Sequence, residues 1–361
     1  LFRKMVQLIK DAKNMICLQS FLIQDTEIID ALLEAKQNRG VRVFVMDSAE
    51  ARLKDSGFEE DEHFTTTEYK KMLTGKFKNN FVHRQANNLH AKFILTDPKT
   101  NPKGYIFTGN FNEKPFFENP ELAVELNKNQ AEELFKIFVY HFWEQTTDEQ
   151  TEFEQFDKVK PANKFEFPKL NGILLTSPNT KKSNLKTTLI SAINRTNKEI
   201  IFSTFGFDVT HELSKLILEK LKSGVKVKVF CRPREKTIQG NIEILAENGA
   251  EVYAHDSIHA KSIMIDKKEA YVFSANFEAH GLNNGFETGV KLNDKQLADL
   301  LKIFENWKNT FPYLFINALQ ISKTDKYFSF DSSKRLNANE ITKEERKSNH
   351  KLIRRVEDLK N

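Results

Sequence analysis

Apolar positions change period in a fixed order twice along this chain. Residues 15–21, Met15-Ile16-Cys17-Leu18-Gln19-Ser20-Phe21, are a short apolar run of the length and composition of a buried strand. Ile28, Ile29, Leu32 and Leu33 then recur at helical spacing, and Arg39-Gly40 supplies a stop where a helix C-cap glycine belongs. Val41-Arg42-Val43-Phe44-Val45 returns to the alternation of a strand. The same order recurs later: a strand over residues 200–205, a helix over 213–221, a stop at Ser223-Gly224, and a strand over 225–230.

The correspondence continues toward the end of each copy. Phe135-Lys136-Ile137-Phe138 matches Leu301-Lys302-Ile303-Phe304, and the two are 166 positions apart, as are Asn110 and Asn276. An internal repeat of this length predicts two similar α/β domains with mixed sheets. The expected divisions are a first domain over residues 1–145, a polar linker over 146–168 punctuated by Pro161 and Pro168, a second domain over 169–321, and a charged extension over 322–361. Within the extension, residues 339–361 read as an exposed charged helix. Its thin apolar stripe (Leu352, Ile353, Val356, Leu359) would pack on the parent domain.

Composition narrows the class without naming a substrate. Hydrophobic content of 39% with 29% charged residues, in 361 residues, describes a globular chain of two domains and excludes a disordered one. The 31 phenylalanines fall mostly in apolar runs and are expected in the core. A net charge of +5 permits an anionic partner, nucleic acid or an acidic membrane surface, and requires neither. Cys17 and Cys231 lie singly inside apolar runs, so neither a disulfide framework nor a metal site is expected. No run approaches the ~20 apolar residues of a membrane span, and no signal peptide is visible. The chain begins at Leu1, which fits a fragment or mature form of a longer protein, and the compartment stays open.

The chemistry sits in the repeat itself. The first copy carries His90-Ala91-Lys92, Asp97, Phe107-Thr108-Gly109-Asn110 and Glu121. The second carries His259-Ala260-Lys261, Asp266, Phe273-Ser274-Ala275-Asn276 and Glu287. If each His-x-Lys lies in a strand, His and Lys share one face. A pseudo-twofold relation of the copies would then gather two imidazoles, two ammonium groups and two asparagine amides at the domain seam. Lys and Asn donors suit the charge that builds on non-bridging oxygens when phosphorus is attacked. One imidazole can act as nucleophile, the other as general acid and then base, at a histidine pKa near ~6.5. Glu121 and Glu287 could each hold one ring nitrogen. Asp97 and Asp266 are expected to cap turns. His63, His83, His141, His211, His255, His280 and His350 lack a repeated partner and read as surface or packing residues.

This arrangement resembles the phospholipase D superfamily, whose signature is His-x-Lys-x4-Asp followed by Gly-Ser/Thr-x-Asn. Residues 90–97 and 259–266 match the first part, and Thr108, Asn110, Ser274 and Asn276 match the second. Phe107 and Phe273 stand at the glycine position, which implies a narrowed pocket. The resemblance covers roughly residues 1–320. It implies two α/β/α domains sharing a central site, metal-independent catalysis without a cofactor, and a phosphohistidine intermediate, with His90 as nucleophile and His259 as general acid by analogy. Residues 108–114 also resemble part of polyphosphate kinase, a larger enzyme.

Two substrate classes follow. The first is a phospholipid, met at a membrane surface and cleaved or exchanged by a phospholipase D or phosphatidyltransferase of the cardiolipin synthase type, acting as a catalytic monomer. The alternative is DNA or RNA, cleaved by a metal-independent nuclease. A scaffold that keeps the fold without catalysis fits less well, because both motifs are intact. The loops over residues 49–80 and 232–249 differ between the copies and are expected to set specificity.

Overall fold

A computed structural model describes residues 2–49, 73–77, 79–152, 155–178, 182–234, 237–316, 328–330, 338–340 and 351–354. Its contacts divide into two compact units. The first comprises residues 1–183, 273–275 and 284–290; the second comprises 184–272, 276–283 and 291–361.

The first unit opens with helix α1 (Phe2–Asp11), strand β1 (Met15–Gln19), helix α2 (Thr26–Arg39) and strand β2 (Arg42–Ser48). The helix boundaries have local causes. The Asp25 side chain accepts from the Ile28 N–H at 2.9 Å, and Gly40 takes the left-handed conformation at φ 69°, which a side chain resists. Then follow β3 (Val82–Ala86), β4 (Lys92–Thr96), β5 (Lys103–Phe107), β6 (Ala123–Glu125) and helix α3 (Lys128–Tyr140). Two further strands, β7 (Asp148–Glu152) and β8 (Gln155–Lys158), complete a sheet in the order β6-β5-β4-β1-β2-β3-β7-β8. It is mixed: β1, β2 and β3 run parallel, while β4 lies antiparallel to β1. Helices α1 and α2 bury Met5, Ile9, Ile28, Ile29 and Leu32 against Ile16, Leu18, Val43 and Ile94 of the sheet.

The stretch expected to link the domains therefore holds two strands. Two carboxylates also pin it. Glu144 accepts from the N–H groups of Asn163, Lys164 and Phe165, and Glu133 from those of Asn171, Gly172 and Ile173. Burial would raise the Glu144 carboxyl, but the three backbone donors hold it below the usual value. The strap leads into β9 (Ile173–Thr176), which pairs antiparallel with β15 (Glu287–Lys291) through Thr176 and Glu287.

The second unit repeats the scheme with helix α4 (Leu185–Asn194), β10 (Glu199–Thr204), helix α5 (Glu212–Lys222), β11 (Lys226–Cys231), β12 (Glu251–Ala254), β13 (Ser262–Ile265) and β14 (Glu269–Phe273). These strands order as β12-β11-β10-β13-β14, again parallel over β10, β11 and β12 and antiparallel from β10 to β13. Helix α6 (Asp294–Thr310) corresponds to α3, and both begin in a capping box, Asn127 with Gln130 and Asn293 with Gln296. Strand β16 (Tyr313–Ile316) pairs with β12. Beyond it, β17 (Phe328–Phe330), β18 (Ala338–Glu340) and β19 (Lys351–Arg354) extend the sheet. The expected terminal helix is thus corrected where it is described: Leu352 and Ile353 lie in β19, because an unpaired β16 edge offers a ladder. Val356 and Leu359 lie outside the described residues.

Cys17 and Cys231 are free and buried, and burial pushes both thiols up. Among the described residues no helix is long and apolar enough to cross a membrane.

Candidate active site

Asp97 and Asp266 hold the same place in both units. Each takes a left-handed conformation, at φ 47° and 51°, just after its strand. The Asp97 carboxylate accepts from the N–H groups of Lys13, Asn14 and Met15 at 2.8, 2.6 and 3.1 Å. Asp266 accepts from those of Asn197, Lys198 and Glu199 at 3.1, 2.9 and 2.8 Å. Each thereby ties the turn entering the first strand of its sheet to the end of the His-Lys strand, and neither side chain is turned toward chemistry by these bonds. Alanine at Asp97 is expected to destabilise the protein by about 2–4 kcal/mol, since three backbone donors lose a charged acceptor. Denaturant melts check this; an unchanged midpoint with lost activity would overturn the structural role and place Asp97 in the catalytic set.

Thr108 and Ser274 also share one role. The Thr108 hydroxyl donates to the Glu121 carboxylate and accepts from the Leu122 N–H at 2.9 Å. The Ser274 hydroxyl donates to Glu287 and accepts from the Thr288 N–H at 3.0 Å. Each hydroxyl fixes the carboxylate thirteen residues downstream. Gly109 is required beside Glu121, because a Cβ there would sit 2.6 Å from the Glu121 Oε1.

In the first unit the His90 Nδ1–H donates to Glu287 Oε1 at 2.9 Å. Glu287 is almost wholly buried. Burial would raise its carboxyl, but His90, through charge and hydrogen bond, with the Lys92 charge and the Ser274 hydroxyl, holds it below the usual range. It is therefore ionised and accepts from the Nδ1 side of the ring, so Nε2 is the ring nitrogen that this carboxylate does not engage. The backbone is anchored as well: the N–H groups of His90 and Ala91 donate to the Phe286 carbonyl at 3.1 and 2.6 Å. Lys92 and Asn110 are fully buried.

One expectation is corrected. His90, and likewise His259 and Lys261, precede the strands, which begin at Lys92 and Ser262. At His90 the Phe286 carbonyl draws the backbone away from the sheet ladder. The expectation that Glu287 holds one ring nitrogen left open which histidine it meets, and the partner is His90 of the first motif.

In the second unit, His259 is buried and the Lys261 ammonium lies 2.7 and 3.0 Å from its ring nitrogens. The Asn276 amide donates to Glu278 at 3.1 Å. A phenylalanine stands against each motif histidine, Phe21 at 6.2 Å from the His90 ring and Phe205 at 4.9 Å from the His259 ring, both edge-on. Both rings end the first strand run of their copy, so the repeat contained the signal, but an apolar strand end reads as core.

Phe107 and Phe273 do not narrow a pocket. Both are fully buried, and Phe107 stacks on Phe116 at 5.3 Å and meets Phe111 edge-on at 6.1 Å within the apolar core. Among the described residues no cluster of His, Cys, Asp and Glu suits a metal ion.

A sequence profile described as "Cardiolipin synthase, PLD-like domain" matches residues 5–145 and 189–308, both copies of the repeat. The chain belongs to this phospholipase D-like family. Cardiolipin synthase A of Proteus mirabilis is 24% identical over 313 residues, 77% of this chain and 60% of that protein. The DISARM protein DrmC of Bacillus paralicheniformis is 29% identical over 97 residues, 24% of this chain and 40% of that protein. The chain thus spans only part of the length of these relatives. Two solved structures share the phospholipase D-like fold. The phosphatidylserine synthase of Haemophilus influenzae aligns with a TM-score of 0.58 at 13% identity, covering 86% of this chain and 84% of that one. The polyphosphate kinase of Porphyromonas gingivalis aligns with a TM-score of 0.56 at 15% identity, covering 85% and 45%.

Other histidines of this phospholipase D-like chain have packing partners. His83 is buried between Asp47 and Gln150, and His211 caps α5 by accepting from the Leu213 N–H. His63 and His350 lie outside the described residues. His141 packs edge-on against Phe286 at 4.7 Å, and burial lowers its pKa to about 3. The unfolded chain takes up that proton near the ordinary value of 6.5, whereas the folded protein does not until about pH 3. Stability is therefore intact above 6.5 and falls as pH drops below it, by about 1.4 kcal/mol per pH unit from this group. Comparing denaturant midpoints of the wild type and His141→Gln from pH 7 to 5 checks the slope. Equal slopes would remove His141 as its source.

Proposed function

We propose that this chain cleaves or transfers a phosphodiester of a phospholipid through a covalent phosphohistidine, with His90 as nucleophile and His259 as general acid and base. The observation that carries the reading is the His90–Glu287 hydrogen bond. An ionised, buried carboxylate holds the Nδ1 proton and leaves Nε2 with the lone pair that attacks phosphorus. Family membership and the cardiolipin synthase among the relatives support a lipid substrate.

In the first step a bond forms between His90 Nε2 and phosphorus, the bond to the leaving oxygen breaks, and protonated His259 gives its proton to that oxygen. In the second, His259 takes a proton from water or an alcohol, whose oxygen displaces His90 from phosphorus. Lys92, Lys261, Asn110 and Asn276 stabilise the charge on the non-bridging oxygens. Glu121, held by Thr108 as Glu287 is by Ser274, is assigned the same orienting chemistry.

A panel of phospholipid vesicles and single- and double-stranded DNA, each with EDTA, tests this. Released or exchanged headgroup with DNA intact is the expected result. Strand breaks with lipid intact would move the same chemistry to nucleic acid, a partner that the +5 charge permits. Inertness toward both would reject it.

A further inference from the structure

The first sheet keeps a cavity on the face turned away from α1 and α2. Ile16, Leu18, Val43 and Val45 point into the core beneath those helices, so by the alternation of a strand Cys17 and Phe44 point the other way. There they line a cavity of about 670 Å³ together with Phe138, Val139 and Phe142. Strand β2 is an interior strand, yet Phe44 is only half-buried, so α3 does not close over it. The strap after β8 is held across the same place. Glu144 clasps it at residues 163–165 and Glu133 clasps it at residues 171–173. Phe165, Phe167 and Lys169, at and between these clasps, line the cavity as well.

Phe44 is particular to the first copy. Cys17, third in β1, pairs with Phe44, whereas Ile201, third in β10, pairs with Lys228, whose ammonium meets Glu199 at 3.1 Å. The shared fold therefore does not require an aromatic ring at this position. The cavity also lies apart from the motif. Met15 and Lys99 place it at the Asp97 end of β4, where Thr96 pairs with Ile16. Lys92 begins that strand about 13 Å away, at ~3.3 Å per residue. The lining side chains are apolar apart from the Trp143 indole, Glu166 and three lysines, Lys99, Lys136 and Lys169. These lysines are exposed and make no hydrogen bond or ion pair among the described residues. Phe165 is left 42% exposed at the same cavity.

An apolar interior bordered by three cations and one carboxylate suits an amphiphile with a negative end. A ligand with polar atoms along its body would lose their hydrogen bonds to water against such a lining. The volume falls within the ~300–1,000 Å³ of small-molecule sites, which fits one chain rather than a two-chain lipid. We propose that this cavity binds a long-chain fatty acid, its chain among Phe44, Phe138, Phe142 and Phe165 and its carboxylate at Lys99, Lys136 and Lys169. The ligand takes no part in the motif chemistry, so its binding does not depend on which phosphodiester the chain cleaves.

Titration calorimetry of the full chain with laurate and dodecyltrimethylammonium, below their micelle concentrations, tests it. The two probes share a chain and differ in the sign of the head. Laurate is expected to bind about tenfold more tightly than the cation, since each exposed ammonium group contributes a modest factor. Lys99→Gln/Lys136→Gln/Lys169→Gln should bring the two within about twofold of each other, with thermal melts showing the fold intact. Val139→Trp, which fills the cavity, should weaken both probes by about tenfold or more. Should that variant unfold, Phe165→Ala, which removes an exposed ring, is expected to weaken both severalfold. Laurate should also raise the Tm of the wild type. Absence of laurate binding, a laurate preference that survives the triple variant, or full binding by Val139→Trp and Phe165→Ala would overturn the site. So would attachment to anionic phospholipid vesicles without uptake of laurate, which would make the lysines a membrane-facing patch.

Discussion

His90→Ala and His259→Ala are each expected to lower turnover by on the order of 10^4- to 10^6-fold, because groups that act as one unit are not additive when removed singly. Neither residue can substitute for the other. His90 has a buried carboxylate on Nδ1, whereas His259 has a lysine ammonium against its ring. On the proposed roles, the carboxylate raises the electron density of the His90 ring, while the His259 ring meets the Lys261 ammonium instead. His90→Ala should abolish the trapped phosphopeptide, and the phosphate should lie on the peptide containing His90 when His259→Ala is challenged with an activated aryl ester, whose leaving group needs no proton. Thermal melts must show both variants folded. Activity above about one per cent in either would sink the two-histidine mechanism, and phosphate on His259 would reverse the roles.

Much of this organisation was legible because the signals are local. Gly40 and Gly224 stop helices through positive φ, at 69° and 96°, and only glycine adopts that freely. The apolar runs 15–21 and 200–205 became β1 and β10 for the same reason, a shift from helical to strand period. The pairing of Asn110 with Asn276 carried over to matching capping boxes at α3 and α6.

Longer-range features were not legible. The strands β7 and β8 are polar, and they hold because Glu149 meets Arg84 and β7 pairs with β3 across more than sixty residues. Nothing in a polar, acidic run reports such a partner. Glu287 was legible as a residue that holds a ring nitrogen, but not which ring: matching intervals say nothing of a hydrogen bond that runs 197 positions back in the chain. Phe107 and Phe273 show the opposite failure. A motif comparison drew attention to their size at a glycine position, while the pleat of the strand turned both rings into the core.

Glu287→Gln is expected to lower kcat by roughly 10^2- to 10^4-fold with a smaller change in KM, since an orienting carboxylate acts on the step rather than on binding. The amide keeps the volume and one hydrogen bond but carries no charge to stabilise a ring that becomes positive when phosphorus bonds to Nε2. The same variant has a signature in stability. The Glu287 carboxyl is held below its ordinary value in the folded protein, so it contributes stability above the unfolded value of 4.5, and that contribution is lost as pH falls through the folded value. Glutamine removes the group from the titration, so midpoints of the variant should depend less on pH below 4.5 than those of the wild type. Ser274→Ala should move in the same direction by a smaller step, because it removes one donor and keeps the His90 pair. A Glu287→Gln enzyme with kcat within about threefold of wild type would show that His90 is oriented by its backbone bonds to Phe286, and the carboxylate would lose its place in the mechanism.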